Sequence, residues 1–272
     1  MFQLEAFRPA IADLQSAHPP LSNNFLGAIL SSRSVTESSD FNWFDDSYWQ
    51  SILNNWKLYV TIAKEGGCKG IIVDPEQYGT PLFSYVFNKE KENRSFEAYQ
   101  AQVQKRGKEL MEVTTAIFPE ITLLFLYGYT IIRPKDSLDT ASYGLYPAFL
   151  DGILQGAKAS TTLIDGYEQA YGYTRAEHFE KGYEDITKRG AQLSQSPSLY
   201  SSKVQAGFGL WLDFGGRDQW NKNDFTQNHF SPSAFKNSLQ MALNRSDSYV
   251  WVYSHLALEN LPKAYMEAIE QL

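Results

Sequence analysis

Cysteine is almost absent. Cys68 is the single one in 272 residues, so no intrachain disulfide can form, and neither an oxidising nor a reducing compartment is demanded. The net charge is −7 and no basic run occurs, which removes the usual footprint of a nucleic-acid partner and of an anionic membrane surface. No stretch of about 18 apolar residues exists, so a transmembrane helix is not expected. The opening MFQLEAFRPAIADL has neither a basic n-region nor a continuous apolar h-region, and does not read as a signal peptide. A cytosolic protein, or a mature or trimmed form of an exported one, is expected. Several familiar motifs are also missing. No G-x-G-x-x-G follows an early strand, and there is no P-loop, no G-x-S-x-G elbow and no H-E-x-x-H or H-x-H spacing.

Aromatic residues, in contrast, are abundant, with 17 Tyr, 17 Phe and 6 Trp. The chain is organised around Gly70-Ile71-Ile72-Val73-Asp74-Pro75-Glu76-Gln77-Tyr78-Gly79. Ile71 to Val73 read as a strand buried on both faces, and Pro75, which cannot donate to a sheet ladder, ends it near Asp74. Comparable apolar runs occur at Phe25–Leu30, Ile121–Tyr127, Thr161–Asp165, Gly207–Leu212 and Tyr249–Tyr253. Helical patterns lie between them. Trp49, Ile52, Trp56, Tyr59 and Ala63 recur at helical spacing after Asp45 or Asp46 as cap, and Gly66-Gly67 stops that helix. Further helices are expected over residues 4–17, from Ser95, over 143–157, after a capping box at Thr174-Arg175-Ala176-Glu177, after Ser231-Pro232 and from Pro262.

Strand then helix, six times, means a parallel α/β sheet. Connections from helix to strand are short, as at 66–69, 118–120 and 158–160, whereas those from strand to helix are long, as at 31–44, 74–94 and 213–230. One rim is elaborated and the other trimmed, as in a (β/α)8-type TIM barrel whose site is built from the loops after the strands. A doubly wound sheet is the runner-up. Only six strands are found where eight are expected, so the barrel is predicted to be irregular or incomplete. Without repeats or linkers, residues 1–272 read as one domain.

The strand ends converge on one kind of chemistry. They deliver Asp74 and Glu76, then Tyr127 and Tyr129, then Asp165 and Glu168, then Asp213, then His255, with Tyr78, Tyr167, Trp211 and Tyr253 beside them. Converging carboxylates among aromatic rings match what glycoside hydrolysis needs: one acid for the leaving oxygen, and a second as nucleophile or as base toward water. Blander roles exist for some of these groups. Asp165 can serve the Gly166 turn, Asp213 can cap the Gly215-Gly216 loop, and a lone histidine is often a packing residue. Asp74, Asp165, Asp213 and His255 are metal-capable, but no ligand spacing supports a metal site. Cys68 precedes its strand, on the face opposite the long loops.

The endings DPEQY, LIDGYEQAY, WLDF and YVWVYSH resemble those of TIM-barrel glycoside hydrolases. That resemblance implies cleavage of an O-glycosidic bond without a cofactor. Glu76 and Glu168 would be the working pair, with Asp165, Asp213 and Asp74 in support. Tyr78, Tyr127, Tyr129, Tyr167, Trp211, Tyr253 and His255 would contact the sugar. Many relatives end a late strand in a catalytic glutamate, where this chain has His255. The departure leaves two alternatives open: a non-catalytic carbohydrate-binding barrel, and a metal-assisted enzyme on the same fold.

Overall fold

The computed structural model describes residues 3–16, 23–30, 41–78, 81–216 and 220–272, with backbone alone for 89–92 and 258. Gly79 and the 31–40 part of the first long loop lie outside the described residues. Five strands lie side by side in chain order and all parallel: β1 (Phe25–Ile29), β2 (Gly70–Asp74), β3 (Thr122–Phe125), β4 (Thr162–Asp165) and β5 (Val204–Ala206). The chain runs through Gly207 directly into β6 (Phe208–Trp211), which pairs in parallel with β7 (Val250–Tyr253). β5 and β6 thus replace the single fifth strand expected over 207–212, bending at a glycine that still donates its N–H to Asp165 O at 2.8 Å.

The two ends of this array approach each other. Phe25 of β1 meets Tyr249, just before β7, edge to face at 5.4 Å, and the Tyr249 hydroxyl donates to Asn23 Oδ1 at 3.2 Å. The result is an irregular TIM-type α/β barrel with six staves among the described residues.

The helices among the described residues are α1 (Arg8–Ser16), α2 (Asp46–Glu65), α3 (Tyr85–Glu92), α4 (Phe96–Ile117), α5 (Tyr146–Gly156) and α6 (Ala176–Glu184). A π-helical turn (Asp185–Gly190) leads into α7 (Ala191–Leu193), followed by α8 (Pro197–Lys203), α9 (Pro232–Arg245) and α10 (Lys263–Glu270). None is long and apolar enough to cross a membrane. Caps follow the side-chain chemistry: Asp45, Ser95 and Ser231 accept from the backbone N–H groups of Tyr48, Ala98 and Ala234. The capping box expected at Thr174 does not form, because α6 starts one residue later, with Arg175 at the N-cap and no side-chain cap bond. Helix α3 was not expected inside the loop after β2.

Two apolar clusters hold the layers. Ile71, Val73, Leu123, Phe125 and Leu163 pack with Trp56, Val103, Met111, Phe149 and Ile153 of the helices outside β1–β4. Phe208 and Leu210 pack with Phe179, Phe235, Leu239 and Tyr265 on the other side. Trp56 also donates its indole N–H to Thr114 Oγ1 at 2.7 Å, pinning α2 to α4.

Candidate functional site

Strand alternation decides which side chains reach the barrel lumen. Ile71, Val73, Leu123, Phe125 and Leu163 face the helices, so Ile72 and Asp74, Leu124, and Ile164 point the other way. On the later strands Phe208 and Leu210 face out, leaving Gly209 and Trp211 facing in. A Cβ placed on Gly209 would lie 2.6 Å from the Trp251 ring, so the glycine makes room for that indole. Trp251 donates its N–H to Gly166 O at 2.8 Å, and two residues on, Tyr253 has the same parity.

The inner rim therefore gathers Asp74, Glu76 and Glu168. Asp74 closes β2 and accepts the backbone N–H of Glu76 at 2.9 Å, a turn that Pro75 favours. Gln77 fixes this loop through Ser142 O, the Tyr143 hydroxyl and the Phe83 N–H. Glu168 opens a 3-10 turn (Glu168–Ala170), its N–H bonded to Leu126 O at 3.0 Å. Its carboxyl is raised to about 7, chiefly by burial and next by the charge of Glu76; a hydrogen bond from Tyr171 opposes the rise, and Asp74 adds to it. One oxygen, Oε2, is buried without a hydrogen-bond partner among the described residues. At neutral pH such a group takes and gives a proton with little cost.

Aromatic rings form the facing wall. Tyr171 stacks on Tyr253 (5.9 Å, 24°) and meets Trp251 and Trp211 at 5.3 and 5.7 Å. His255 lies 5.1 Å from Trp211 and 5.2 Å from Tyr253. Asp213, 1% exposed, sits beneath them, accepting from the Trp211 indole at 2.8 Å and the His255 N–H at 3.1 Å, with His255 Nδ1 3.4 Å away.

Of the residues expected at the site, Asp74, Glu76 and Glu168 come together, and Trp211, Tyr253 and His255 line the wall beside them. Others lie elsewhere. Asp165 shares the parity of Leu163 and faces the helices, 3% exposed; its Oδ1 takes the N–H groups of Gly128 (3.0 Å) and Tyr167 (3.1 Å), and burial lifts it to about 7. Tyr129 is buried with its hydroxyl on Asp151 at 2.9 Å, and Tyr167 gives its hydroxyl to Asp185 at 3.1 Å. Tyr127 is buried and donates to Tyr143 at 2.8 Å, within electrostatic reach of Glu76. Asp213 is covered by the groups that its own carboxylate accepts, and Tyr78 stands half-exposed on the loop.

Sequence reading missed Tyr171 and Trp251 as site residues. The signals were present: Tyr171 stands three residues after Glu168, and Trp251 alternates with Tyr253. Among the described residues, no three His, Cys, Asp or Glu side chains converge in a way that could hold a metal ion.

No family model matches the chain, and no curated protein does. Among solved structures, it is similar to a sugar phosphate isomerase/epimerase from Parabacteroides distasonis ATCC 8503, at 11% identity and a TM-score of 0.36, over 90% of this chain and 68% of that one. That neighbour is not a glycosidase. The expected membership of the glycoside hydrolases, the hydrolase activity and the cleavage of an O-glycosidic bond are corrected accordingly.

Proposed function

We propose that the chain, as one domain, is an acid–base enzyme that moves a proton within a carbohydrate-like substrate, an isomerisation or epimerisation centred on Glu168 and Glu76. The observation that carries this is the Glu168 carboxyl: raised to about 7 by burial and by the charge of Glu76 on the loop after β2, with one buried oxygen that has no hydrogen-bond partner among the described residues. The carboxylates carry the reading, and the fold likeness adds no weight to it.

In the proposed step, ionised Glu168 takes the proton from the hydroxyl-bearing carbon next to a carbonyl. The C–H electron pair forms the carbon–carbon double bond and the carbonyl pair passes to its oxygen, giving an enediolate. Return of that proton to the former carbonyl carbon, with the neighbouring hydroxyl proton passing to the first oxygen, isomerises the sugar. Delivery of a proton to the original carbon from the opposite face, by Glu76 in its protonated form, inverts that centre, and proton exchange with solvent then restores the two carboxyls. No oxidant is needed. Ring faces of Tyr171, Tyr253 and Trp211 suit the C–H faces of such a substrate, and the acids suit its hydroxyls. The acidic rim favours an uncharged substrate over an anionic one.

Incubation with a panel of aldoses and ketoses in D2O, followed by proton NMR, tests this. Deuterium entering at the carbon beside the carbonyl of at least one sugar is expected, slowed roughly 10²–10⁴-fold in Glu168→Gln. Sugar binding without any exchange would overturn the reading in favour of a carbohydrate-binding barrel.

A further inference from the structure

We propose that Asp165 and Tyr167 are positioning residues for Glu168, forming a clamp behind the sheet that turns the chain and aims Glu168 into the lumen. The inference deepens the reading of Glu168 as the proton-carrying group and rests on it.

Tyr167 has φ 38° and ψ 66°, a left-handed backbone that a bulky L-residue rarely adopts. Such a conformation persists only where its surroundings impose it, and it clusters at functional sites. Here the imposing groups are visible. The Asp165 carboxylate accepts the N–H of Tyr167 itself and, with the same oxygen, the N–H of Gly128 on the neighbouring loop. The Tyr167 ring is anchored in the outer core, edge-on to Phe208 at 6.0 Å, and its hydroxyl donates to Asp185. Asp185 is in turn gripped by Arg189 at 2.9 Å across the π-helical turn, and Arg189 also reaches Thr130 O at 2.8 Å.

The consequence is a change of side. Asp165 and Tyr167 both lie toward the helices, and the left-handed residue lets the next one begin on the lumen side. There Glu168 N–H meets Leu126 O, and the 3-10 turn brings Tyr171 back onto the Glu168 carboxyl. Asp165 uses only one oxygen for this. Among the described residues its Oδ2 has no hydrogen-bond partner, and a cavity of about 20 Å³ between Gly128, Leu150 and Leu154 adjoins the carboxyl. A Cβ on Gly128 would meet that oxygen at 2.2 Å, so the clamp also depends on a glycine facing it.

The test is the titration of Glu168 in the full, substrate-free chain, followed by carbon-13 NMR of labelled glutamate and assigned with Glu168→Gln. Asp165→Ala removes the acceptor and is expected to weaken proton affinity at Glu168 by about tenfold or more, as the released carboxyl moves away from Glu76. Asp165→Asn keeps an acceptor oxygen and should titrate like the wild type. Should Asp165→Ala not fold, Gly128→Ala displaces the clamp without changing any ionisable group, and the same weakening is expected. Wild-type affinity in a folded Asp165→Ala or Gly128→Ala variant overturns the inference, as does an equal loss in Asp165→Asn. A wild-type Glu168 that already titrates like an ordinary glutamate overturns the site reading itself, which separates the two failures.

Discussion

Glu76, on the loop after β2, raises the proton affinity of Glu168, on the turn after β4, across the rim of the barrel. Burial is the larger cause and the Glu76 charge the second, so Glu168 holds its proton more tightly than burial alone would make it. Glu76→Gln removes the charge and leaves the burial. Proton affinity at Glu168 should then fall while staying above that of an exposed glutamate. NMR titration of Glu168 checks this, and an unchanged or higher value would show that the two carboxyls do not interact.

Asp165 makes stability depend on pH in a defined direction. Its folded-state value, about 7, lies above the ordinary 3.8, so between these the native state holds the proton more tightly than the unfolded chain. The corresponding stability is complete below about 4 and is lost as pH rises through 7. Asp165→Asn abolishes that dependence. Relative to the wild type, the variant should gain on the order of 2–4 kcal/mol on going from pH 4 to pH 8. Urea unfolding at both pH values measures it, and parallel curves for the two proteins would refute the assignment.

Much of the architecture was legible because buried parallel strands are short β-branched runs bounded by glycine and proline, as at Gly70–Asp74, and six such runs give the six staves. The break at Gly207 was not, since a bend in a strand depends on its neighbours rather than on local sequence. At the rim, residue type was read correctly and side incorrectly. Asp165 pairs in register with Phe125 and lies two residues from Leu163, so the pleat turns it toward the helices; Asp74, two residues from Ile72, turns inward. That parity was available in the sequence. The left-handed Tyr167 was not, because the contacts that impose it come from the 128 loop and the π-helical turn.

Tyr129 was expected to touch a sugar, and its surroundings give it a structural task instead. Its hydroxyl donates to the buried Asp151, which also accepts from Ser194 and from the Gln195 N–H at 3.0 Å. Tyr129→Phe leaves Asp151 with one bond fewer in a buried place, costing about 1–3 kcal/mol. Thermal or urea unfolding should show that loss while sugar binding, by calorimetry, stays unchanged. Weakened binding at full stability would return Tyr129 to the site.

Tyr253 offers the opposite case. It is 38% exposed at the end of β7 and stacks on Tyr171, whose ring reaches back to the Glu168 carboxyl through its hydroxyl. A ring at that height contributes little to the core, so Tyr253→Ala should fold with near-normal stability. It should nevertheless weaken the binding of any sugar that lies along the wall. Contacts of this kind are worth roughly 0.5–1.5 kcal/mol, or about 2- to 12-fold in Kd. Trp211→Ala is the less clean comparison, because it also removes a donor from the buried Asp213 and so costs stability as well as affinity. Titration calorimetry with the sugar that shows exchange in D2O separates these variants. If Tyr253→Ala binds that sugar as tightly as the wild type, the substrate does not use the Tyr171–Tyr253 wall.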